Sequence, residues 1–225
     1  ARRDLVRAYV HAGRPSKAWE FFGKVGNGPK PAEDAARTMM ELLANAYFGE
    51  GMYVESTAVY RQLQDAHPGD ASDCAWQAQI VVNALATDDK AIQWAQSERL
   101  AKTWEALAQG KPAETVRRKC AADTRDTLRQ MATVWHDEAD KTHKPETFAY
   151  AAKAYREFLR VFPEHADAYE LGYFLGELLW LQAAQEAGAP DAATRKRSRG
   201  SFLAAHDAFM DTLARRPDGK HTKVA

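Results

Sequence analysis

The sequence predicts an all-α protein, a right-handed α-solenoid of about five consecutive helical hairpins, some degenerate or elongated. Long stretches are dominated by alanine, leucine, glutamate, arginine and glutamine, with glycine and proline confined almost entirely to the gaps between them. Nowhere do valine, isoleucine or threonine alternate with polar residues for long enough to make a strand. An aromatic side chain also recurs at one fixed distance before a proline: Tyr60 before Pro68, Tyr155 before Pro163, and Phe209 before Pro217. Equal offsets at three places imply a repeated unit.

In chain order, apolar periodicity between breakers predicts helices over 3–12, 16–25, 32–49, 53–66, 71–86, 88–109, 112–142, 145–161, 165–187 and 198–215. The breaks fall at Gly13-Arg14-Pro15, Gly26 to Pro31, Gly49 to Gly51, Pro68-Gly69-Asp70, Gly110 to Pro112, Pro163, and Gly188 to Pro190. Breaks this short join antiparallel neighbours, so the helices pair as hairpins. Two segments depart from an even pattern. Residues 113–143 read as one overlong helix, and 187–201 reads as a polar, basic insertion between the last two helices.

Counted back from the prolines, the hairpins share a register with the tetratricopeptide repeat, two helices in about 34 residues. With Pro68 at position 32, Met40, Leu43, Ala44 and Tyr47 take positions 4, 7, 8 and 11, Gly51 the turn, and Ser56, Tyr60 and Leu63 positions 20, 24 and 27. With Pro163 at 32, Trp135, Ala139, Ala151, Tyr155 and Phe158 take 4, 8, 20, 24 and 27. An earlier copy keeps Leu5, Tyr9, Gly13, Ala18, Phe22 and Val25. A later one keeps Leu175-Gly176, Ala205, Phe209 and Pro217. Small residues at 8 and 20 let two helices approach, aromatics at 11 and 24 fill the space beside them, and each hairpin buries its remaining apolar face on the next. The chain thus resembles the tetratricopeptide superfamily, with unequal spacing between its prolines and a hairpin over 71–109 that lacks the consensus.

A narrower resemblance rests on 5–25, 43–63, 149–180 and Cys74-Ala75-Trp76-Gln77. These segments look like the tetratricopeptide lipoproteins and periplasmic subunits of bacterial gliding-motility machineries. That resemblance implies an adaptor in an envelope complex linking inner and outer membranes, periplasmic or outer-membrane-anchored, with a cytoplasmic location as the alternative.

Lysine plus arginine (31) balances aspartate plus glutamate (31), which disfavours a nucleic-acid partner or a basic membrane-surface helix. The longest apolar stretch, 171–184, is interrupted by Glu177 and too short to span a bilayer. Residues 1–217 are expected to form one domain and 218–225 a tail. A start at Ala1 within a truncated first repeat suggests a piece of a longer protein.

No nucleophile elbow, phosphate loop or H-E-x-x-H motif occurs, so no enzyme, catalytic residue or cofactor is expected. His136 and His143 lie two turns apart with Asp140 between them, a spacing able to grip a metal; a solvated or groove-facing stretch is the plainer reading, and no metal is assigned. Arg195-Lys196-Arg197-Ser198-Arg199 reads as a solvated loop rather than a docking loop. Trp76 and Trp135 fall where the repeat wants bulk, whereas the register offers Trp180 no such role.

In repeats of this kind, positions 2, 5, 9 and 12 of each first helix line a groove. Here these are Arg3, Arg7, Glu41, Asn45, Phe48, His136, Asp140, His143, Tyr173, Glu177 and Trp180. The mixed polar and aromatic lining suits a peptide or partner helix of another protein. Glu41 stands where a chaperone-binding clamp would place lysine. The expected function is a non-catalytic interaction scaffold; the alternatives are a cytosolic regulator binding a peptide or small GTPase, and the repeat module of an enzyme whose catalytic domain lies outside this chain. Cys74 and Cys120 fall near the starts of helices expected to run parallel, so either a disulfide or two buried free thiols is open.

Overall fold

A computed structural model describes residues 2–25 and 32–221. The described residues are all-helical, with no strand among them: α1 (Arg2–Ala12), a 3-10 turn (Pro15–Lys17), α2 (Ala18–Val25), α3 (Ala32–Gly49), α4 (Tyr53–Ala66), α5 (Asp73–Leu85), α6 (Lys90–Gln109), α7 (Glu114–Thr142), α8 (Pro145–Val161), α9 (Ala168–Ala187) and α10 (Ala192–Arg215). The expected break at Gly26 to Pro31 lies outside the described residues. Where the sequence suggested one domain over 1–217, the chain falls into two compact units, Ala1–Ala121 and Ala122–Ala225, divided inside α7.

Local chemistry accounts for the helix ends. Gly51 and Gly69 adopt positive φ (76° each) after α3 and α4, a backbone conformation costly for any residue with a Cβ. Asp89 caps α6 by accepting from the backbone N–H groups of Ala91 and Ile92 at 2.9 and 3.0 Å. Pro145, its φ already set for a helix, opens α8.

In the first unit α1 and α2 pack on α3, and α3–α4, α4–α5 and α5–α6 pack in succession. Its main core gathers Phe22, Met40, Leu43, Tyr47, Leu63 and Ile80, all fully buried. A smaller cluster holds Cys74, Val81, Leu100 and Cys120, with Trp104 and Leu107 against it. Cys74 and Cys120 are joined in a disulfide with their α-carbons 5.8 Å apart. Cys74 lies in the first turn of α5 and Cys120 in the second turn of α7, so both helices offer their N-terminal ends to the bridge.

In the second unit α8 packs on α9 and α9 on α10. Trp135 of α7 meets Tyr150 of α8, ring centroids 5.6 Å apart. Phe148, Phe158, Leu128 and Leu178 are fully buried. Gly176 explains the close approach of α9 and α10: a Cβ there would lie 2.5 Å from the Phe209 ring. Residues 219–221 fold back on α9, with Lys220 paired to Glu170 at 2.8 Å and His221 stacked on Tyr173 at 3.8 Å.

The small register positions Ala18, Ala44, Ser56, Ala139, Ala151 and Ala205 are all solvent-inaccessible, as are Tyr47 and Phe22 at the aromatic ones. Val25 departs: placed at the same register position as the buried Leu63 and Phe158, it is 46% exposed, being the last residue of α2. Of the stretch 187–201 only 188–191 is a loop. Asp191 accepts from the backbone N–H of Thr194 at 2.7 Å and starts α10 at Ala192. Arg195, Lys196, Arg197 and Arg199 therefore ride on the exposed first turns of a helix. Two alanines behind a good cap, and no glycine or proline until Gly200, make helix the cheaper conformation.

Candidate partner-binding cleft

The residues expected to line a groove divide by unit. In the first, Arg3 and Arg7 are exposed on α1. Glu41 of α3 accepts from Trp76 Nε1 at 3.0 Å and lies 3.6 Å from Arg37 Nε. Arg37 in turn donates to both carboxylate oxygens of Asp70, at 2.7 and 3.0 Å. Asn45 Oδ1 accepts from the Tyr60 hydroxyl at 3.0 Å, and the Phe48 ring leans on Tyr53, centroids 5.6 Å apart. Glu41, Asn45, Tyr60 and Trp76 border a hollow of about 270 Å³. Glu41 and Trp76, and Asn45 and Tyr60, are already engaged by one another.

In the second unit, His136 and Asp140 of α7 and Tyr173, Glu177 and Trp180 of α9 converge on one cleft of about 720 Å³. These five residues come from helices separated in sequence by the whole of α8. His143 is not among the lining residues. It ends α7 in a left-handed turn (φ 57°) and hydrogen-bonds Gln185 through Nδ1. His136, Asp140 and His143 do not gather into a metal site, and no group of three His, Cys, Asp or Glu among the described residues does.

The far wall comes from α10: His206, Phe209, Met210 and Leu213, with Leu181 of α9. Sequence reasoning gave Phe209 a packing role and missed the others, because the register assigns groove residues only to first helices. A signal was present in Met210 and Leu213, which lie one turn apart on α10. Leu203 and Met210 are 58% and 51% exposed, and Trp180 is 57% exposed with its ring edge-on to Phe202. Large apolar side chains left together in solvent mark an interaction surface more often than chance.

His136 Nδ1 and the Tyr155 hydroxyl share a 3.0 Å hydrogen bond. Burial pushes the His136 imidazole below its ordinary pKa of 6.5, against the opposing pull of Glu177, Asp140 and Asp137. Burial also raises the Tyr155 hydroxyl, so it keeps its proton. Tyr173 is raised by burial first and then by its hydrogen bond with Glu177. The cleft thus sets an imidazole whose pKa is lowered and the phenol of Tyr173 beside Asp140 and Glu177, among apolar rings.

No helix among the described residues is long and apolar enough to cross a membrane. No protein-family model matches the chain, and no curated protein does.

Proposed function

We propose that this chain is a non-catalytic scaffold of tetratricopeptide-like hairpins, arranged as a solenoid, that holds a peptide or helix of another protein in the cleft of its second unit. One observation carries the reading: positions 5 and 9 of one register copy (His136, Asp140) and 5, 9 and 12 of the next (Tyr173, Glu177, Trp180) border a single cavity. Burial of the small residues at positions 8 and 20 supports the same register. A concave surface of mixed aromatic, apolar and polar side chains, partly exposed, suits a segment laid along it.

The setting we propose is an adaptor subunit of a bacterial envelope complex of the gliding-motility kind, periplasmic or outer-membrane-anchored. The Cys74–Cys120 bridge supports it, since disulfides persist chiefly in oxidising compartments. The test is affinity capture of the full-length protein from its own cells beside a Trp180→Ala variant. A defined set of envelope proteins lost with the variant is expected; an identical set from both would overturn the cleft as the binding site. Two titratable thiols in protein taken from its native compartment would overturn the compartment.

A further inference from the structure

We infer that the cleft between α7, α9 and α10 takes a lysine or arginine side chain, presented by another protein on a segment whose neighbouring residues are apolar. The inference rests on the scaffold reading and adds the chemistry of its partner. Charge carries it first. The cleft walls hold two carboxylates, Asp140 and Glu177, and neither lysine nor arginine. Elsewhere in the same unit several carboxylates are matched, Asp137 with Lys141 at 2.6 Å, Asp167 with Arg129 at 3.1 Å and Glu170 with Lys220 at 2.8 Å, while others such as Glu146 and Asp211 are not; what sets Asp140 and Glu177 apart is that they share one cleft. Among the described residues, Asp140 and Glu177 form no ion pair with a lysine or arginine, although this unit has cations to spare in the first turns of α10. An incoming cation meets two carboxylates with no competing ammonium or guanidinium to displace.

The rings add to the charge. Trp180, Tyr173 and Phe209 line the same cavity, and an aromatic face attracts a cation within about 6 Å of its centroid. His136, half-buried and with its pKa lowered by desolvation, adds little opposing charge. Met210 and Leu213 of α10, with Leu181 of α9, line the same cleft and give the residues flanking the cation an apolar surface to cover. That surface asks for a peptide rather than a free small cation.

The experiment is selection of a phage-displayed random peptide library on the whole chain, followed by fluorescence anisotropy with the best synthetic peptide. Enriched peptides are expected to set lysine or arginine beside leucine, isoleucine or phenylalanine. Asp140→Asn with Glu177→Gln should weaken the best peptide about tenfold or more, as should replacing its basic residue by glutamine. Both carboxylates are exposed, so the melting curve of the double variant should match the parent. Acidic or uncharged enriched peptides, or affinity unchanged in the double variant, overturn the inference. If such peptides still lose binding in Trp180→Ala, the scaffold reading survives that failure. Peptides indifferent to Trp180→Ala, or none retained at all, count against both.

Discussion

The hairpin α3–α4 of the first unit and the helices α7–α9 of the second, aligned on the register the sequence suggests, differ in what their polar positions do. In each, a tyrosine at position 24 bonds the first helix through its hydroxyl: Tyr60 donates to Asn45, and Tyr155 shares a hydrogen bond with His136, both at 3.0 Å. Around Tyr60 the polar positions are closed off, since Glu41 is held by Trp76 and Arg37, and Arg37 by Asp70. In α9–α10 position 24 is Phe209, which has no hydroxyl to give. Tyr173 and Glu177 are left facing an open cleft beside the exposed Trp180. A groove position spent on internal hydrogen bonds fastens the fold; one left without a cation is available to a partner.

The disulfide belongs to the fastened unit, and removing it should have the largest effect. Closing a loop between cysteines 46 residues apart is worth about 4 kcal/mol by the chain-entropy relation. Cys74→Ser with Cys120→Ser should lower the denaturant midpoint accordingly and speed hydrogen exchange in α5–α6 while leaving α8–α10 protected. Equal loss of protection in both sets of helices would erase the contrast.

Overpacking comes next. Ala151 is wholly buried at position 20, and a Cβ on Gly176 would meet Phe209 at 2.5 Å. Ala151→Leu and Gly176→Ala should each cost about 1–3 kcal/mol. An unchanged melting temperature for either would mean that the register is misplaced there. Phe209→Tyr sharpens the comparison more gently. A hydroxyl restored at position 24 should reach Tyr173 or Glu177, add about 1 kcal/mol, and reduce peptide binding in the cleft.

The smallest expected effect is with pH. His136 is held below 6.5 in the folded chain, chiefly by burial. The unfolded chain therefore takes up a proton that the folded chain resists, and stability falls as pH drops through about 6.5. Asp140, Glu177 and Asp137 partly offset the loss. Urea midpoints at about pH 7.5 and 5.5 should differ less in His136→Gln than in the parent; an equal difference would assign the slope to other groups.

Most helices were legible because glycine or proline interrupts the chain where they end; between α5 and α6 the signal is instead the Asp88-Asp89 pair, whose second member caps α6. The overlong α7 was legible for the converse reason, as nothing breaks it between Glu114 and Thr142. The start of α10 was not, because its signal is a single aspartate cap ahead of a charged run, where hydrophobic periodicity is silent. Half of the cleft was visible as first-helix positions spaced four residues apart. The wall from α10 was not, since the pairing that turns Met210 and Leu213 toward α9 depends on how closely Gly172 and Gly176 let the two helices approach. His143 does not line the cleft for a related reason: one residue past the end of α7 its backbone turns left-handed, and helical spacing no longer says where its side chain points.

Fluorine NMR of protein labelled with 5-fluorotryptophan tests the contrast between the two units most directly. Six tryptophans give six signals, with Trp180 and Trp76 assigned by substitution to phenylalanine. On titration with a peptide carrying lysine between leucines, the Trp180 signal should shift saturably while that of Trp76, buried and bonded to Glu41, stays fixed. A shift of Trp76 with Trp180 unmoved would contradict the account.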